Sequence, residues 1–400
     1  MKKLYWGYGI YAVIISIYFL YFYPLETFGP SRIAAYSHAF YFALLPFEWI
    51  FLISIICHKK LWTKIEEDLN RGLSWWKEGK WTIILGLFYL LLRLPFQVVY
   101  FELVKYYGLS HETLANWFYK WSLDAFAFLI GAIFLVRLLR FALARFPKKW
   151  WLFSWITILP FALFLVYIQP VWIDPLYEEF TPIEEGATRE AIEDVVEDAG
   201  ISNAELLQVE KSDETNRYNA YVTGIGDHAR IVLWDTTLNH LSIDGITFIL
   251  NHEIAHYIEG HFYWGVFGYL LLSLSILFVL ANVYSLYNRN MGNVNQRHPK
   301  TIPILILMTS ILLFILQPGS LYVSRHMEWR ADEYAVEHTD NLEPAIETYE
   351  KLAIESQSDL YPLWWVKWLR NSHPPMGERL DFIERSANTK SEGEISGTNK

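Results

Sequence analysis

Several residue types are scarce in this 400-residue chain, and each scarcity excludes a class of protein. The chain has a single cysteine, Cys57, so neither an intramolecular disulfide nor a zinc site built from cysteines can form. Charged residues make up only 19% of the chain, and the formal net charge is −10. A chain without excess positive charge lacks the electrostatic footprint of nucleic-acid binding, so we expect no nucleic-acid partner.

Apolar residues are abundant instead, with 53% hydrophobic and 18% aromatic residues. Crossing a bilayer takes about 20 apolar residues per helix. Seven runs meet this length, and they lie at residues 5–23, 38–57, 81–101, 121–143, 150–168, 262–284 and 301–320. The first run resembles a signal peptide, but no small-residue cleavage site follows it, so we expect it to remain as a span.

Ionisable residues occur inside several of the predicted spans, among them Glu48, Arg93 and Asp124. Such groups are costly in lipid, so they usually face a bundle interior or a water-filled cavity. Near a helix end they can instead extend to the interface. For Arg93 and Asp124 the two alternatives are equally open.

Basic residues are distributed unevenly between the loops. The loop at 58–80 is rich in lysine, and the ends of the fourth, fifth and sixth spans on the same side add further lysines and arginines. The opposite short loops carry little beyond Arg32 and Lys105. The positive-inside rule therefore predicts a cytoplasmic N-terminus, with the residue 170–261 segment and the C-terminal region outside. The expected location is the plasma membrane.

Polar sequence interrupts the spans between residues 170 and 261. The stretch "TPIEEGATREAIEDVVEDAG" predicts a helix that is capped by Thr181, has Pro182 in its first turn and stops at Gly200. "LLQVEKS", "RYNAYVTG" and "ARIVLWDT" predict short strands, the last two joined by the turn "IGDH". After the seventh span, residues 321–386 are predicted to be helical and the polar tail 387–400 to be disordered.

The stretch "ILNHEIAHYIEGH", residues 249–261, contains the H-E-x-x-H pattern of zinc metallopeptidases. On a helix, His252 and His256 lie four residues apart on one face, so both imidazoles can bind one cation. Glu253 beside them can take a proton from water that the metal activates. The extended metzincin pattern fails, because its glycine and third histidine positions hold Glu259 and Phe262.

A third ligand is therefore expected downstream, and "SRHMEWRADEYA" (324–335) supplies one. Glu328 and Asp332 are four apart on a helical face. Glu328 can bind the metal while Asp332 accepts a hydrogen bond from a ligand imidazole. On its own this stretch is better explained as a charged surface helix in which Arg330 and Glu333 pair. Beside the histidine motif, the metal site is favoured, and the predicted cofactor is one Zn²⁺ ion.

Together these motifs resemble the type I CAAX prenyl proteases, which are integral-membrane zinc metalloendopeptidases of the gluzincin type. The resemblance runs from about residue 80 to 385 and includes "NAYVTGIGDHARIVLWDTTL", "HEIAHYIEGH", "SRHMEWRADEYA" and "SHPPMGER". It implies a mostly α-helical, seven-helix multi-pass membrane protein with a gluzincin-like α+β metallopeptidase domain. The expected division is a membrane domain at 1–169 with spans 1–5, a metallopeptidase region at 170–386 that includes spans 6 and 7, and the tail at 387–400.

The resemblance also implies a role for each matching residue. It assigns the zinc ligands to His252, His256 and Glu328, the catalytic base to Glu253, and the carboxylate that supports a ligand to Asp332. Ala255 stands where the family usually has glycine; alanine is a better helix former, so the change is expected to be harmless.

Residues outside the zinc motifs match as well. Asn219 and Ala220 correspond to a strand beside the cleft, where an extended substrate could add by main-chain hydrogen bonds; alternatively, this hairpin only packs over the zinc helix. His373 and Arg379 match an element that would supply positive charge or donors to the oxyanion of the tetrahedral intermediate. His261 has a family counterpart, for which a structural hydrogen bond is expected.

The predicted function is hydrolysis of peptide bonds in lipidated or membrane-associated proteins, with peptide or protein substrates and membrane lipid as partners. One alternative is a quality-control protease with no lipid preference. A remote one is a transporter or channel regulated by a metal, which would need neither the base nor the Glu328/Asp332 pair. Eukaryotic family members face the cytosol, whereas the loop charges here place the site outside, which argues against prenylated cytosolic proteins as substrates.

Overall fold

The computed structural model describes residues 1–69, 74–201, 204–223, 229–290 and 296–397, which are mostly helical. The helices are α1 Lys2–Ile17, α2 Ile33–Cys57, α3 Lys59–Leu69, α4 Ser74–Tyr106, α5 Leu114–Arg145, α6 Trp150–Ile168, α7 Ala187–Asp198, α8 Asp235–His240, α9 Ile243–Ile258, α10 His261–Asn290, α11 Thr301–Glu337, α12 Glu343–Ser356, α13 Trp364–Arg370 and α14 Met376–Gly397. The strands are β1 Phe180–Pro182, β2 Glu205–Val209, β3 Ala220–Thr223 and β4 Arg230–Trp234.

Six of these helices are long and apolar enough to cross a membrane, namely α1, α2, α4, α5, α10 and α11. The fifth predicted span is a shorter apolar helix, Trp150–Val166, within α6. Large apolar side chains project outward from this bundle, such as Trp6 (75% exposed) and Phe126 (65% exposed). Such a surface suits lipid, and a multi-pass, mostly α-helical membrane protein is confirmed.

Two groups of elements outside the spanning helices are named here as the basic face and the site face. The basic face carries α3, the start of α4 and the end of α5. There Arg140 of α5 donates to Glu78 of α4 at 2.7 Å. The site face carries β1–β4, α7–α9 and α12–α14. These elements are tied to the loop after α1, for example by the Leu360 amide, which donates to the Glu26 carbonyl at 2.8 Å.

The strands form one sheet in the order β1-β2-β4-β3. Strands β2 and β4 are parallel, while β1 and β3 pair antiparallel with their neighbours, which leaves β3 at an edge. Ile192 of α7, Ile231 of β4 and Ile254 of α9 are completely buried between the sheet and the two helices. The three predicted strands are confirmed; the "IGDH" turn, residues 225–228, lies outside the described residues.

The predicted helix start at Thr181 is wrong. Thr181 and Pro182 belong to β1, where Thr181 pairs with Gln208, and α7 begins only at Ala187. Pairing with the sheet outweighs the local capping signal, because intrinsic helix preference is a weak determinant against tertiary contacts.

The tail also differs from the expectation of disorder over 387–400, since α14 continues to Gly397. Lys390 holds this helix to the end of α11 by donating to the carbonyls of Val336 at 2.8 Å and Thr339 at 2.7 Å. Cations are favoured at such carbonyl ends of helices. Residues 398–400 lie outside the described part.

The helix with the two zinc-motif histidines is α9, and its ends are well defined. Ser242 caps its start by accepting a hydrogen bond from the Gly245 amide at 3.2 Å. Gly260, with a φ of +66°, separates α9 from the spanning helix α10. The 37-residue helix α11 extends about 55 Å at 1.5 Å per residue, so its C-terminal turns rise beyond the bilayer and pack against α9.

Candidate active site

Three predicted metal ligands converge where α9 meets α11. The Nε2 atoms of His252 and His256 lie 3.2 Å apart. The Glu328 carboxylate approaches both, with Oε2 at 3.4 Å from His252 Nε2 and Oε1 at 3.6 Å from His256 Nε2. One ligand atom from each residue falls within 4.8 Å of the other two, a spacing that one metal ion can bridge.

The donor set suits a cation. Glu328 Oε2 is buried and has no hydrogen-bond partner, and a buried carboxylate oxygen without a partner is costly. Burial and the neighbouring His252 lower the pKa of His256 to about 4, which keeps this imidazole neutral and able to donate a lone pair. At His252, burial lowers the pKa, but the nearby carboxylates of Asp332 and Glu328 outweigh it and raise the value to about 9. The site therefore attracts positive charge.

Asp332 fixes the orientation of His252. Its Oδ1 accepts from His252 Nδ1 at 2.9 Å, which points Nε2 toward the cluster. Arg379 in turn donates to both Asp332 oxygens, at 2.6 and 2.8 Å, and to the Tyr349 hydroxyl at 2.7 Å. Asp332 is fully buried, so this arginine supplies the charge that the carboxylate needs.

A second chain of contacts reaches His256. His256 Nδ1 lies 2.8 Å from His261 Nδ1, and His261 Nε2 lies 3.1 Å from Glu259 Oε2. Arg330 donates to the other Glu259 oxygen at 2.9 Å. Because the carboxylate can only accept, His261 must donate from Nε2 and accept at Nδ1. His256 then donates from Nδ1 to His261 and keeps its Nε2 lone pair toward the cluster. This contact is a structural hydrogen bond of the kind that the sequence predicts for His261.

Glu253 lies beside the histidines and is half-buried. Burial raises the pKa of its carboxyl to about 7, helped by the nearby Glu328 and opposed by His252. The backbone of Val222 in edge strand β3 lies near this carboxylate and favours its charged form. A carboxyl group whose pKa lies near neutrality both accepts and returns a proton readily.

The remaining predicted residues are placed differently from one another. His373 reaches the cluster, with Nε2 at 3.2 Å from Glu328 Oε1 and a side chain that is 61% exposed. Arg379 is only 8% exposed and lies behind His252, on the Asp332 side. The Asn219 side chain is exposed, while its carbonyl accepts from the Trp234 amide at 3.0 Å. Ala220 lies in β3 and is buried.

Of the two supporting chains, sequence reasoning named Asp332, Arg379 and His261 but missed Tyr349 and the pair of Glu259 with Arg330. Tyr349 lies on α12, and no motif marks it. Glu259 and Arg330 are ordinary charged residues in the sequence; they meet because α9 and α11 are packed side by side. The spacing of Glu259 two residues before His261 was the one available signal.

A cavity of about 740 Å³ lies among α2, α4 and α5. Arg93 and Asp124 both line it, so the cavity alternative holds for these two residues. Arg93 also pairs with Glu48 at 2.9 Å. A second cavity of about 360 Å³ lies beside His373 on the site face.

Residues 31–179 match the CAAX prenyl protease N-terminal family, which has five membrane helices, and residues 182–387 match peptidase family M48. The uncharacterized metalloprotease YhfN of Bacillus subtilis (strain 168) is 36% identical over 380 residues, covering 91% of this chain and 88% of its own. CAAX prenyl protease 1 of Saccharomyces cerevisiae is 27% identical over 308 residues, or 71% and 67% of the two chains. The crystal structure of S. mikatae Ste24p shares the fold, with a TM-score of 0.75 at 22% identity over 94% of this chain and 96% of its own.

A bundle of spanning helices joined to an H-E-x-x-H helix defines the class of membrane zinc metalloendopeptidases. The chain belongs to peptidase family M48, with the membrane region of the CAAX prenyl proteases. It is therefore a multi-pass membrane metalloprotease that acts on peptide or protein substrates.

Proposed function

We propose that the protein holds one Zn²⁺ ion between His252 Nε2, His256 Nε2 and the Glu328 carboxylate, and hydrolyses peptide bonds there. The observation that carries this proposal is the convergence of the three ligand atoms within 4.8 Å. The buried Glu328 oxygen without a hydrogen-bond partner supports it, because a cation would satisfy that atom. Nitrogen and carboxylate ligands in this ratio are those of catalytic zinc in metallopeptidases.

Each residue of the site has its own role in the proposed hydrolysis. A bound zinc ion supplies a Lewis acid that polarises the peptide carbonyl and acidifies water. Glu253 takes the proton from the attacking water and passes it to the leaving amine, so the proton count balances when the C–N bond breaks. His373 is exposed beside Glu328 and offers a donor to the oxyanion that develops on the carbonyl oxygen. Asp332 and Arg379 hold His252 in place.

Edge strand β3 is the proposed site for the substrate backbone. The Asn219 carbonyl accepts from the Trp234 amide of β4. Along an antiparallel strand, residues that are hydrogen-bonded to the neighbouring strand alternate with residues that are not. The main-chain N–H and C=O groups of Ala220 and Val222 therefore point away from β4. The proximity of the Val222 backbone to Glu253 agrees with this direction. An extended peptide could add to this edge, with the exposed Asn219 amide as a further contact.

We propose lipidated or membrane-associated proteins as the substrate class. The name of the yeast relative points to prenylated proteins, and the cavity of about 740 Å³ among the helices has aromatic and aliphatic walls interrupted by polar groups. A quality-control protease without lipid preference is the second candidate, because the exposed edge of β3 requires only an extended backbone. We also propose the division into a membrane domain at 1–169 and a metallopeptidase region at 170–386.

The test compares two peptides of one sequence, with and without an attached prenyl chain, using the full-length protein in lipid nanodiscs. Chelation should abolish cleavage of both, and zinc should restore it. A lower KM for the prenylated peptide supports the first candidate, and equal values support the second. If zinc-loaded protein cleaves neither these peptides nor casein, the proposed function is wrong.

We further propose that the site face lies outside the plasma membrane, since lysines and arginines crowd the basic face. The single cysteine allows a paired test, because exposed Cys57 ends α2 on the basic face. A membrane-impermeant maleimide added to intact cells should not label it. A protein carrying Cys57→Ala and Glu350→Cys, the latter at an exposed position of α12, should be labelled. The reverse pattern would put the site in the cytoplasm.

His261 is expected to contribute to zinc binding without touching the ion. His261→Leu removes the acceptor for His256 Nδ1, and loss of such a supporting partner typically weakens metal affinity about 10- to 100-fold. Competition with a chelating dye measures this. His326→Leu, at an exposed position of α11, is the matched control and should bind zinc as tightly as wild type. Equal affinity of both variants would contradict the role of His261.

A further inference from the structure

Helix α13 has one exposed aromatic face. Trp364 and Trp368 lie four residues apart on the same side of this short helix, and they are 72% and 50% exposed. Val366, on the opposite side, is completely buried. Exposed apolar patches mark contacts with another protein or with a membrane. The position of α13 relative to the spanning helices decides between these two partners.

The buried side of α13 packs against two membrane-spanning helices. Val366 belongs to one hydrophobic cluster with Phe19 of the first span (Lys2–Phe22) and Phe42 of α2. The centre of the Trp365 ring lies 5.6 Å from that of Phe19 and 5.0 Å from that of Phe42. Because these partners are parts of spans, α13 lies beside the end of the bundle, at the level of its side chains.

The last carbonyls of α13 are held by spanning helices as well. Gln317 of α11 donates to the Leu369 carbonyl at 2.7 Å, and the Tyr41 hydroxyl of α2 donates to the same carbonyl at 3.0 Å. Gln317 lies about 24 Å along α11 from Thr301, its first residue, at 1.5 Å per residue. The hydrocarbon core is about 30 Å thick, so the Leu369 carbonyl lies near its boundary, where an unpaired backbone group is costly.

The side chains of α13 are divided as an interfacial helix requires. Lys367 donates to both Glu378 oxygens of α14, at 2.7 and 2.6 Å, so this charge turns toward the metallopeptidase region. Tryptophan rings favour the level of the lipid headgroups, and an interfacial helix buries its apolar face at the headgroup boundary. The neighbouring spans expose aromatic rings near the same level, namely Phe22 and Tyr322. The exposed face of α13 therefore continues a surface that faces lipid.

The loop that follows α13 leads directly to the metal cluster. Only Asn371 and one further residue separate α13 from His373, whose Nε2 lies 3.2 Å from Glu328 Oε1. Arg325 is buried and donates to the Lys367 carbonyl at 3.2 Å and the Asn371 carbonyl at 2.6 Å. It fastens α13 and the loop to α11, the helix that carries Glu328. A displacement of α13 would therefore reach His373.

We propose that Trp364 and Trp368 dock α13 in the headgroup region of the lipid leaflet on the site face, and that this contact positions His373 at the metal cluster. The partner is the phospholipid interface, because the depth of α13 and the exposed rings of the neighbouring spans place its aromatic face there. The positioning of His373 rests on the proposed function, whereas the lipid contact does not. Trp364 and Trp368 are positioning residues that act through the loop.

The lipid contact is tested with a fluorescent label on a single cysteine, in zinc-loaded, full-length protein in phospholipid nanodiscs. In a Cys57→Ala background, the label is introduced by Trp364→Cys, by Glu350→Cys on α12 or by Phe126→Cys on the exposed face of α5. Lipids with a nitroxide near the headgroup should quench the label at position 364. Aqueous iodide should quench it several-fold less than the label at position 350. The label at position 126 should respond to lipid nitroxides and not to iodide.

Two outcomes would overturn the lipid contact. One is strong quenching by iodide at position 364 without quenching by the lipid nitroxide. The other is shielding from iodide that develops only when a peptide substrate is added, because the aromatic face would then bind substrate instead of lipid.

The positioning of His373 is tested by kinetics in the same nanodiscs. Trp364→Glu combined with Trp368→Glu should lower kcat, with KM and zinc content as in wild type. The loss should not exceed that of His373→Ala, which as removal of one oxyanion donor is about 10²- to 10³-fold. Trp364→Phe combined with Trp368→Phe should keep most of the wild-type kcat, because the face stays apolar and aromatic.

A double-mutant comparison separates positioning from a general loss of structure. In a His373→Ala protein the two glutamate substitutions should have little further effect on kcat, since the residue that they displace is already gone. An equal loss with and without His373 would overturn the positioning role. A wild-type protein that cleaves no peptide, while the label at position 364 is still quenched by lipid, would overturn the proposed function and leave the lipid contact standing.

Discussion

Glu253→Gln is expected to reduce peptide cleavage about 10²- to 10⁴-fold, the usual contribution of a positioned acid–base group. The amide keeps the size of the side chain but cannot take a proton from water. His252, His256 and Glu328, whose atoms form the cluster, are unchanged, so zinc should remain bound. Cleavage of a quenched peptide and the zinc content of the purified protein are measured on the same sample.

The matched control for this change is Glu190→Gln, at the first turn of α7 on the same face of the molecule. It should leave cleavage and zinc content as in wild type. Because the amide at position 253 keeps the size and shape of the carboxylate, the thermal midpoint of Glu253→Gln should also stay close to that of wild type. A Glu253→Gln protein that cleaves as fast as wild type would exclude Glu253 as the base.

The metal cluster was predictable because each part of it has a local signature. A spacing of four on a helix aligns His252 with His256, and the same spacing aligns Glu328 with Asp332. What the sequence could not supply was the direction of each side chain relative to other elements. Arg379 was predicted to contact substrate, but packing of α14 against α11 buries it against Asp332, and we propose a supporting role instead.

The spanning helices were predictable for a related reason, since about 20 apolar residues in a row have few alternatives to crossing a bilayer. Short helices and strands were less predictable. The sequence from Thr181 carries helix-start signals, yet Thr181 pairs with Gln208 in the sheet, a contact between distant parts of the chain.

Asp332→Asn is expected to lower both stability and zinc affinity. The substitution leaves Arg379 buried without its charged partner, and breaking a buried pair from one side typically costs about 3–5 kcal/mol. It also gives His252 Nδ1 a partner that can present a donor instead of an acceptor, and loss of such support weakens metal binding about 10- to 100-fold. Unfolding of the zinc-free protein and zinc competition measure the two effects separately.

A double variant distinguishes the two effects. Adding Arg379→Met to Asp332→Asn removes the unpaired cation, so most of the lost stability should return, because exchanging both members of a buried pair for neutral groups is often nearly neutral. Zinc affinity should stay low, since His252 still lacks its carboxylate acceptor. If stability and zinc affinity instead recover together, Asp332 acts only by stabilising the fold, and its orientation of His252 contributes nothing to the metal site.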